Sequence, residues 1–586
     1  MGNIMSLKGL KNNPSRNGFD LSFRNAFTAK SGQLLPVMCK ECLPGDKFKV
    51  NLQWFTRTAE LQSSAFTRIK EYYDFFFVPT RLLWRPFDQF VTQMPFYSSE
   101  FNGSSSNTFT HQPYITLGDV SEYVYGLHNL HNPSPVLKYD RFRIDGTKYD
   151  EGGCPRSYSS VRLLDMLGYG DFSSYLVKGD KPRVSVRNVA VSPFPLLAYQ
   201  KIYSDYYRND LWENDMPHTY NVDYLTSSDM RINVSDYIKE ISMRPTSLNF
   251  LDLRYCNLPK DLIMGVMPSP QYGEPALFGF TPGSSFEVKL SGSEPFSSGH
   301  DFALNINDNE PNREYALSHW SILALRQAEY LQKWKEISNS GRKDYKEQIE
   351  KHFGVHISDI RSNRCEFLGG TSSFIDIDEV VNTALSKPDD AAVIKGKGVG
   401  VGKQFQDFEA PEHGFFMCIY HTSPIVDYNN RGLDLQLLRT QPTDYAIPEF
   451  DKLGMQELPS VVLDTYSTYL GELEDAEVVD NSRYLGYVPR YIDYKTSVDR
   501  VHGEFNGDLR SWTSYVDKDL SDMFLIYKDD SSFLDISSRR YAFFKVRPSI
   551  LDNIFALHAE ISDQFRVNSM FNIDAVRSLD RNGLPY

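Results

Sequence analysis

The sequence predicts an all-β protein of antiparallel strands, and three observations lead there. First, residues 46–55, DKFKVNLQWF, alternate cleanly: Phe48, Val50, Leu52 and Trp54 share one face, and Lys47, Lys49, Asn51 and Gln53 share the other. That is the pattern of an antiparallel strand with one dry side. Second, aromatic residues make up 14% of the chain, with 36 Tyr and 39 Phe, side chains that favour pleated surfaces and large contacts. Third, 31 Pro and 36 Gly supply turns for many short elements, while helical periodicity is sparse.

The individual elements follow in order. Leu43-Pro44-Gly45-Asp46 precedes the first clear strand, with Pro second and Gly third, as a type II turn requires. Residues 72–78, YYDFFFV, read as a strand buried on both faces. Residues 284–290 alternate through Phe286, Val288 and Leu290, and residues 415–420 and 541–546 read as core strands. Helical spacing is confined to Tyr199, Ile202, Tyr203 and Tyr206, to a stripe from Trp320 to Ile337 ending near Gly341, and to a short element over 342–353. Turn-rich stretches at roughly 96–190, 208–316, 385–412 and 455–482 read as long loop insertions.

A chain of 586 residues exceeds the usual single domain; one domain, 31–586, enlarged by these insertions is the expected organisation. Residues 1–30 read as a basic arm, with Lys8, Lys11, Arg16, Arg24 and Lys30 against Asp20 alone. Such a segment suits contact with phosphate or a neighbouring subunit, and equally a solvated terminus. Its charge stands out because the whole chain carries −14. Any polyanion contact must therefore be local.

Several function classes find no support. No stretch of 18 or more apolar residues exists to span a membrane. Cys39 and Cys42 are the only close pair among six cysteines, and on a strand they point to opposite faces, so free buried thiols are expected. Gly396-Lys397-Gly398-Val399-Gly400-Val401-Gly402-Lys403 imitates a phosphate loop. However, Lys397 stands where Gly is required and Gln404 where Ser or Thr is required, so a flexible loop is expected. Asp376-Ile377-Asp378-Glu379 and Asn307-Asp308-Asn309-Glu310 could attract Ca²⁺, but neither has the spacing of an EF-hand loop, and no cofactor is expected. No GxSxG or HExxH occurs. Two readings remain from the residues: a protein whose work is contact, and a β-sandwich that binds or cleaves carbohydrate with carboxylates drawn from distant positions.

A family resemblance separates these readings. Phe19-Asp20-Leu21-Ser22, Gly32 to Pro36, Leu43-Pro44-Gly45-Asp46 and Asp74-Phe75-Phe76-Phe77-Val78-Pro79, with Arg81-Leu82 and Trp84, resemble in order the N-terminal signature of the major capsid protein of microviruses, the gokushovirus-like group in particular. Ala198-Tyr199, Tyr207-Arg208-Asn209, Asp252-Leu253-Arg254-Tyr255 and Met267 to Gly273 continue it. So do His352-Phe353-Gly354-Val355, Glu366 to Gly370, His413-Gly414, Asp563-Gln564-Phe565 and Gly583 to Tyr586. Residues 222–248 carry few family-like residues. The resemblance implies an eight-stranded antiparallel jelly roll and no enzymatic activity. It implies sixty copies in a T=1 icosahedral shell around circular single-stranded DNA, in the virion of a bacteriophage assembled in the host cytoplasm. Residues 208–316 would form a protrusion at the threefold axis with possible host contact. The implied partners are a small basic DNA-binding protein, a pilot protein and a scaffolding protein. In that setting the candidate DNA-facing residues are Lys8, Lys11, Arg16 and Arg24.

Overall fold

The structure is a computed structural model, and it describes residues 15–92, 111–131, 150–151, 154–172, 188–225, 230–234, 237, 248–272, 322–340, 345–359, 362–381, 394–463, 484–516, 544–559 and 562–581. The chain folds as two compact units: residues 1–268 with 356–586, and residues 269–355.

The first unit is organised by one antiparallel sheet. Its strands are β1 (Asn17–Asp20), β2 (Phe23–Ala29), β3 (Leu35–Cys42), β4 (Lys47–Thr58) and β5 (Arg68–Pro79), then β8 (Glu366–Val381), β9 (Ile394–Glu409), β10 (Gly414–Ile425) and β15 (Phe565–Arg577). Three two-stranded pairs lie outside it: β6 (Ile115–Thr116) with β7 (Ala190–Val191), β11 (Asp427–Tyr428) with β14 (Tyr515–Val516), and β12 (Met455–Pro459) with β13 (Tyr484–Pro489). The main sheet runs β1-β15-β4-β9-β8-β5-β10-β3, and β2 also pairs with β15.

This sheet curls because β8 serves two neighbours. From Glu366 to Ile375 it pairs with β5, and from Asp376 to Val381 it pairs with β9. The two halves then face each other. Trp54 meets Tyr73 at 4.6 Å between ring centres, Phe48 meets Phe416 at 5.5 Å, and the Tyr73 hydroxyl lies 2.7 Å from Ser569 Oγ. Asn25 Nδ2 donates to the Val37 carbonyl at 2.8 Å, joining the two ends of the curled sheet. The result is a jelly-roll-like β fold, with eight strands on one path and β2 as a ninth.

The ninth strand has a local cause. β1 and β2 run successively along the same edge of β15, interrupted at Leu21 and Ser22. Asp20 accepts the Ser22 N–H, and the Ser22 hydroxyl accepts the Ile573 N–H where a strand carbonyl would otherwise serve. The segment read as a basic arm is thus, from Asn17 to Ala29, part of the sheet. Fixing eleven residues by ladder pairing to β15 outweighs the polar composition that suggested a loose terminus.

Expected elements mostly appear. β4, β5 and β10 cover the predicted strands, and the turn before β4 has Gly45 at φ +82° with Asp46 N–H donating to the Leu43 carbonyl at 3.0 Å. Residues 541–546 differ: among the described part, Phe544 to Val546, only a single bridge between Asn257 and Lys545 forms. Lys545 is buried there against Glu213 at 2.7 Å, a tie that a strand register does not provide. Residues 284–290 lie outside the described residues. The stretch 96–190 contains α2 (Leu117–His131) and α3 (Arg156–Met166), following α1 (Phe87–Thr92). Within 208–316, Trp212, Val222, Ile232, Phe250 and Leu253 are buried in the first unit's core.

The tyrosine stripe forms α4 (Phe194–Ile202), started after Pro193 and continued by a wider turn over Tyr203–Tyr207. Tyr199 and Tyr203 are buried, Tyr206 and Tyr207 are half-buried, and each hydroxyl finds a partner. Tyr199 donates to the Leu34 carbonyl at 2.9 Å, Tyr206 to the Cys365 carbonyl at 2.7 Å, and Tyr207 to Asp74 at 2.7 Å. All six cysteines are free, and five are buried. Burial pushes the Cys256 thiol up to about 12, which leaves it unreactive.

The second unit holds α5 (Ile322–Asn339) and α6 (Tyr345–Phe353), as the helical spacing predicts. Trp334 stacks on His352 at 5.9 Å, and Asn339 donates to the Ser269 carbonyl at 2.8 Å.

Candidate functional site

Among the described residues no group of His, Cys, Asp and Glu side chains could hold a metal ion. Asp376 to Glu379 lie on β8, in the part that pairs with β9. Asn307 to Glu310 lie outside the described residues. No helix of the described residues is long and apolar enough to cross a membrane.

Inside the sandwich, one ionisable group is held by four donors. Glu71, fully buried on β5, accepts from Trp54 Nε1 at 2.7 Å, Thr56 Oγ1 at 2.6 Å, Ser373 Oγ at 2.8 Å and Tyr420 OH at 3.4 Å. Burial raises its pKa, and these donors pull against that rise. The arrangement spans both halves of the sheet around a fully buried carboxylate, so its role is to fix how the halves pack.

The Gly-Lys-Gly-Val run resolves as β9, not as a flexible loop. Its even-numbered glycines face the core because large side chains occupy their Cβ space. An added Cβ would stand 2.4 Å from Thr58 at Gly398, 2.4 Å from Glu71 at Gly400 and 1.9 Å from the Trp54 ring at Gly402. The odd-numbered residues face outward. The signal was present as a period of two; glycine in place of the usual core residues hid it.

The outer face of β2, β15, β4 and β9 is where exposed chemistry collects. Register places Arg24, Met570, Gln53 and Lys403 in one row, Ala26, Asn568, Phe55 and Val401 in the next, and Thr28, Arg566, Arg57 and Val399 in a third. These rows hold four cations and no carboxylate. The far end of the same face is acidic: Lys47 pairs with Glu409 at 3.0 Å, and Lys49 shares its row with Asp407, Asp574 and Asp20. Phe405 and Val401 are 67% and 64% exposed, so this face carries apolar surface as well as charge. Arg57 lies over the Phe55 ring at 5.0 Å and Lys403 over the Phe405 ring at 4.7 Å. A shallow groove runs between Phe55, Val401, Lys403, Asn568 and Met570.

Of the four predicted DNA-facing residues, Lys8 and Lys11 lie outside the described residues. Arg16 and Arg24 are both exposed. Arg24 Nε donates to Asn568 at 2.6 Å and belongs to the cationic rows, whereas Arg16 reaches Gly45 beside the turn before β4. Arg57, Lys403 and Arg566 were not singled out in the sequence. Arg57 lies beyond the alternating stretch 46–55, and only strand pairing brings the three together.

The described residues form a curled antiparallel sheet carrying long packed insertions. Comparison with known proteins places it further. Residues 10–110 and 178–585 match the family described as Capsid protein (F protein), and the chain belongs to this family of phage capsid proteins. It is 25% identical over 545 residues to Capsid protein VP1 of Chlamydia phage 1, covering 85% of this chain and 86% of that one. It is 23% identical over 524 residues to Capsid protein VP1 of Bdellovibrio phage phiMH2K, covering 84% and 83%. The resemblance to the microvirus major capsid protein therefore holds, the role is structural, and the chain's place is the virion.

Proposed function

We propose that sixty copies of this chain close into a T=1 icosahedral shell around the circular single-stranded DNA of a small bacteriophage, assembled in the cytoplasm of the bacterial host. The observation that carries this reading is the jelly-roll-like sheet with large insertions, in a chain belonging to a capsid family. A stable contact buries on the order of 1,600 Å², and a subunit with several neighbours must supply that area several times. Insertions provide it.

The reading includes a small basic DNA-binding protein, a scaffolding protein and a pilot protein as partners. A chain of net charge −14 cannot neutralise a genome alone, so cations come from a separate protein and from local basic segments. Lys8, Lys11, Arg16 and Arg24 are the proposed basic segment. Residues 208–316 are the proposed threefold protrusion and host contact, and the part from Ser269 onward belongs to the chain's second unit.

Mass measurement of purified particles tests the proposal. Sixty copies of a 67.4 kDa chain weigh about 4 MDa before DNA and partners are added. Nuclease-resistant circular DNA inside a particle of at least that mass is the expected result. A discrete smaller oligomer without DNA contradicts it. Deleting residues 1–14, which leaves β1 intact, should reduce packaged DNA; unchanged DNA content would remove Lys8 and Lys11 from the account.

A further inference from the structure

Resting on the shell reading, we infer that the outer face of β2, β15, β4 and β9 is a base-stacking platform for single-stranded nucleic acid. Phe55 and Phe405 receive unpaired bases, and Arg24, Arg57, Lys403 and Arg566 bind the flanking phosphates. Four cations without a carboxylate in three adjacent rows are unexpected in an acidic chain, and they complement a polyanion. The exposed aromatic surface narrows the choice of polyanion. Phe405 is 67% exposed and lies one row beyond the cationic rows, opposite Asn51 and two residues past Lys403 on β9, so the two rings stand two rows apart.

Aromatic faces beside cations on an open sheet bind single strands, because every base offers a π-face and every linkage a phosphate. A duplex hides its bases and would use the cations alone. Arg57 and Lys403 already lie against the two rings, so each ring is flanked by the charge that a phosphate next to a stacked base needs. The glycines of β9 complete the arrangement. By admitting Trp54, Thr58 and Glu71 beneath them, they let β9 pack closely on the core while its odd-numbered side chains project outward.

Fluorescence anisotropy of a labelled thirty-residue oligodeoxythymidylate with the purified, unassembled full chain tests this. Phe405→Ala combined with Phe55→Ala should weaken binding roughly tenfold or more. The same variant should bind an abasic oligonucleotide of equal length as the unaltered chain does. Arg57→Gln with Lys403→Gln should lower the salt slope by about 1.4 on either probe. Unchanged melting curves identify variants that fold, and Phe405→Leu serves where alanine does not. Equal oligodeoxythymidylate affinity in all folded variants overturns the inference. So does loss of chain–chain association at unchanged oligonucleotide affinity, which would make this face a contact between copies. Closed shells formed by variants with unchanged affinity would sink the platform and leave the shell reading standing; an unaltered chain that never forms shells would sink the shell reading itself.

Discussion

Trp54 Nε1 donates to the Glu71 carboxylate at 2.7 Å, and these two residues come from adjacent strands in sequence that lie in opposite halves of the curled sheet. The bond is therefore a measure of how the halves face one another. Thr56 and Ser373 donate to the same carboxylate, so one side chain satisfies donors from both layers. Glu71→Leu would leave those donors buried without an acceptor, at a cost of about 2–4 kcal/mol. Glu71→Gln keeps one acceptor oxygen and should lose less. Chemical denaturation of the unassembled chain orders the two; equal stability of Glu71→Leu and the unaltered chain would show that the node contributes nothing.

The glycines of β9 give a second expectation. Gly402→Ala places a methyl group inside the Trp54 ring, and overpacking of this kind costs about 1–3 kcal/mol. Gly18→Ala, at an edge position with open space, should be nearly neutral. Thermal melts of the two variants test the assignment of β9 as a core-lining strand. A Gly402→Ala melt matching that of the unaltered chain would instead fit a loop.

Asp74 links stability to pH. Burial raises its carboxyl from the usual 3.8 to about 6, against the opposing hydrogen bond from Tyr207. Its folded-state pKa is above the unfolded one, so the folded chain holds its proton longer. Its contribution is fully present below about pH 3.8 and is lost as pH rises through 6. Asp74→Asn should remove that loss, making the variant more stable than the unaltered chain at pH 7 by on the order of 2 kcal/mol, with little difference at pH 4. Urea unfolding at both pH values reads the difference directly. A gap of the same size at both would rule out ionisation as its cause.

Arg156 and Asp252 tie a helix of one insertion to a segment of another. Nε and one terminal nitrogen of Arg156 donate to the two carboxylate oxygens at 2.7 and 2.6 Å, and both residues are buried. Removing one partner of such a pair strands the other charge, so Arg156→Met should cost about 3–5 kcal/mol. Replacing both, as in Arg156→Met with Asp252→Leu, should recover part of that loss. Stability measurements on the single and double variants separate an ion pair from mere packing.

How much of this was legible differs by element. β4 declared itself because Phe48 to Trp54 alternate with lysines and amides, and the turn before it because Pro44 and Gly45 have few other uses. β9 did not, since its inward positions are glycines whose partners, Trp54 and Glu71, lie far away in sequence. The edge formed by β1 and β2 was mistaken for an arm because ladder bonds to β15 join residues more than 500 positions apart, and composition carries no trace of them. Of the outer face, Arg24 was visible as charge. Its grouping with Arg566 and Lys403 depends on register, which local pattern does not encode.

The measurement closest to the central claim is negative-stain electron microscopy of the full chain expressed with the scaffolding protein proposed as its partner. The account predicts closed shells of one diameter. A chain that remains a monomer under those conditions, and that binds sugar instead, would contradict it.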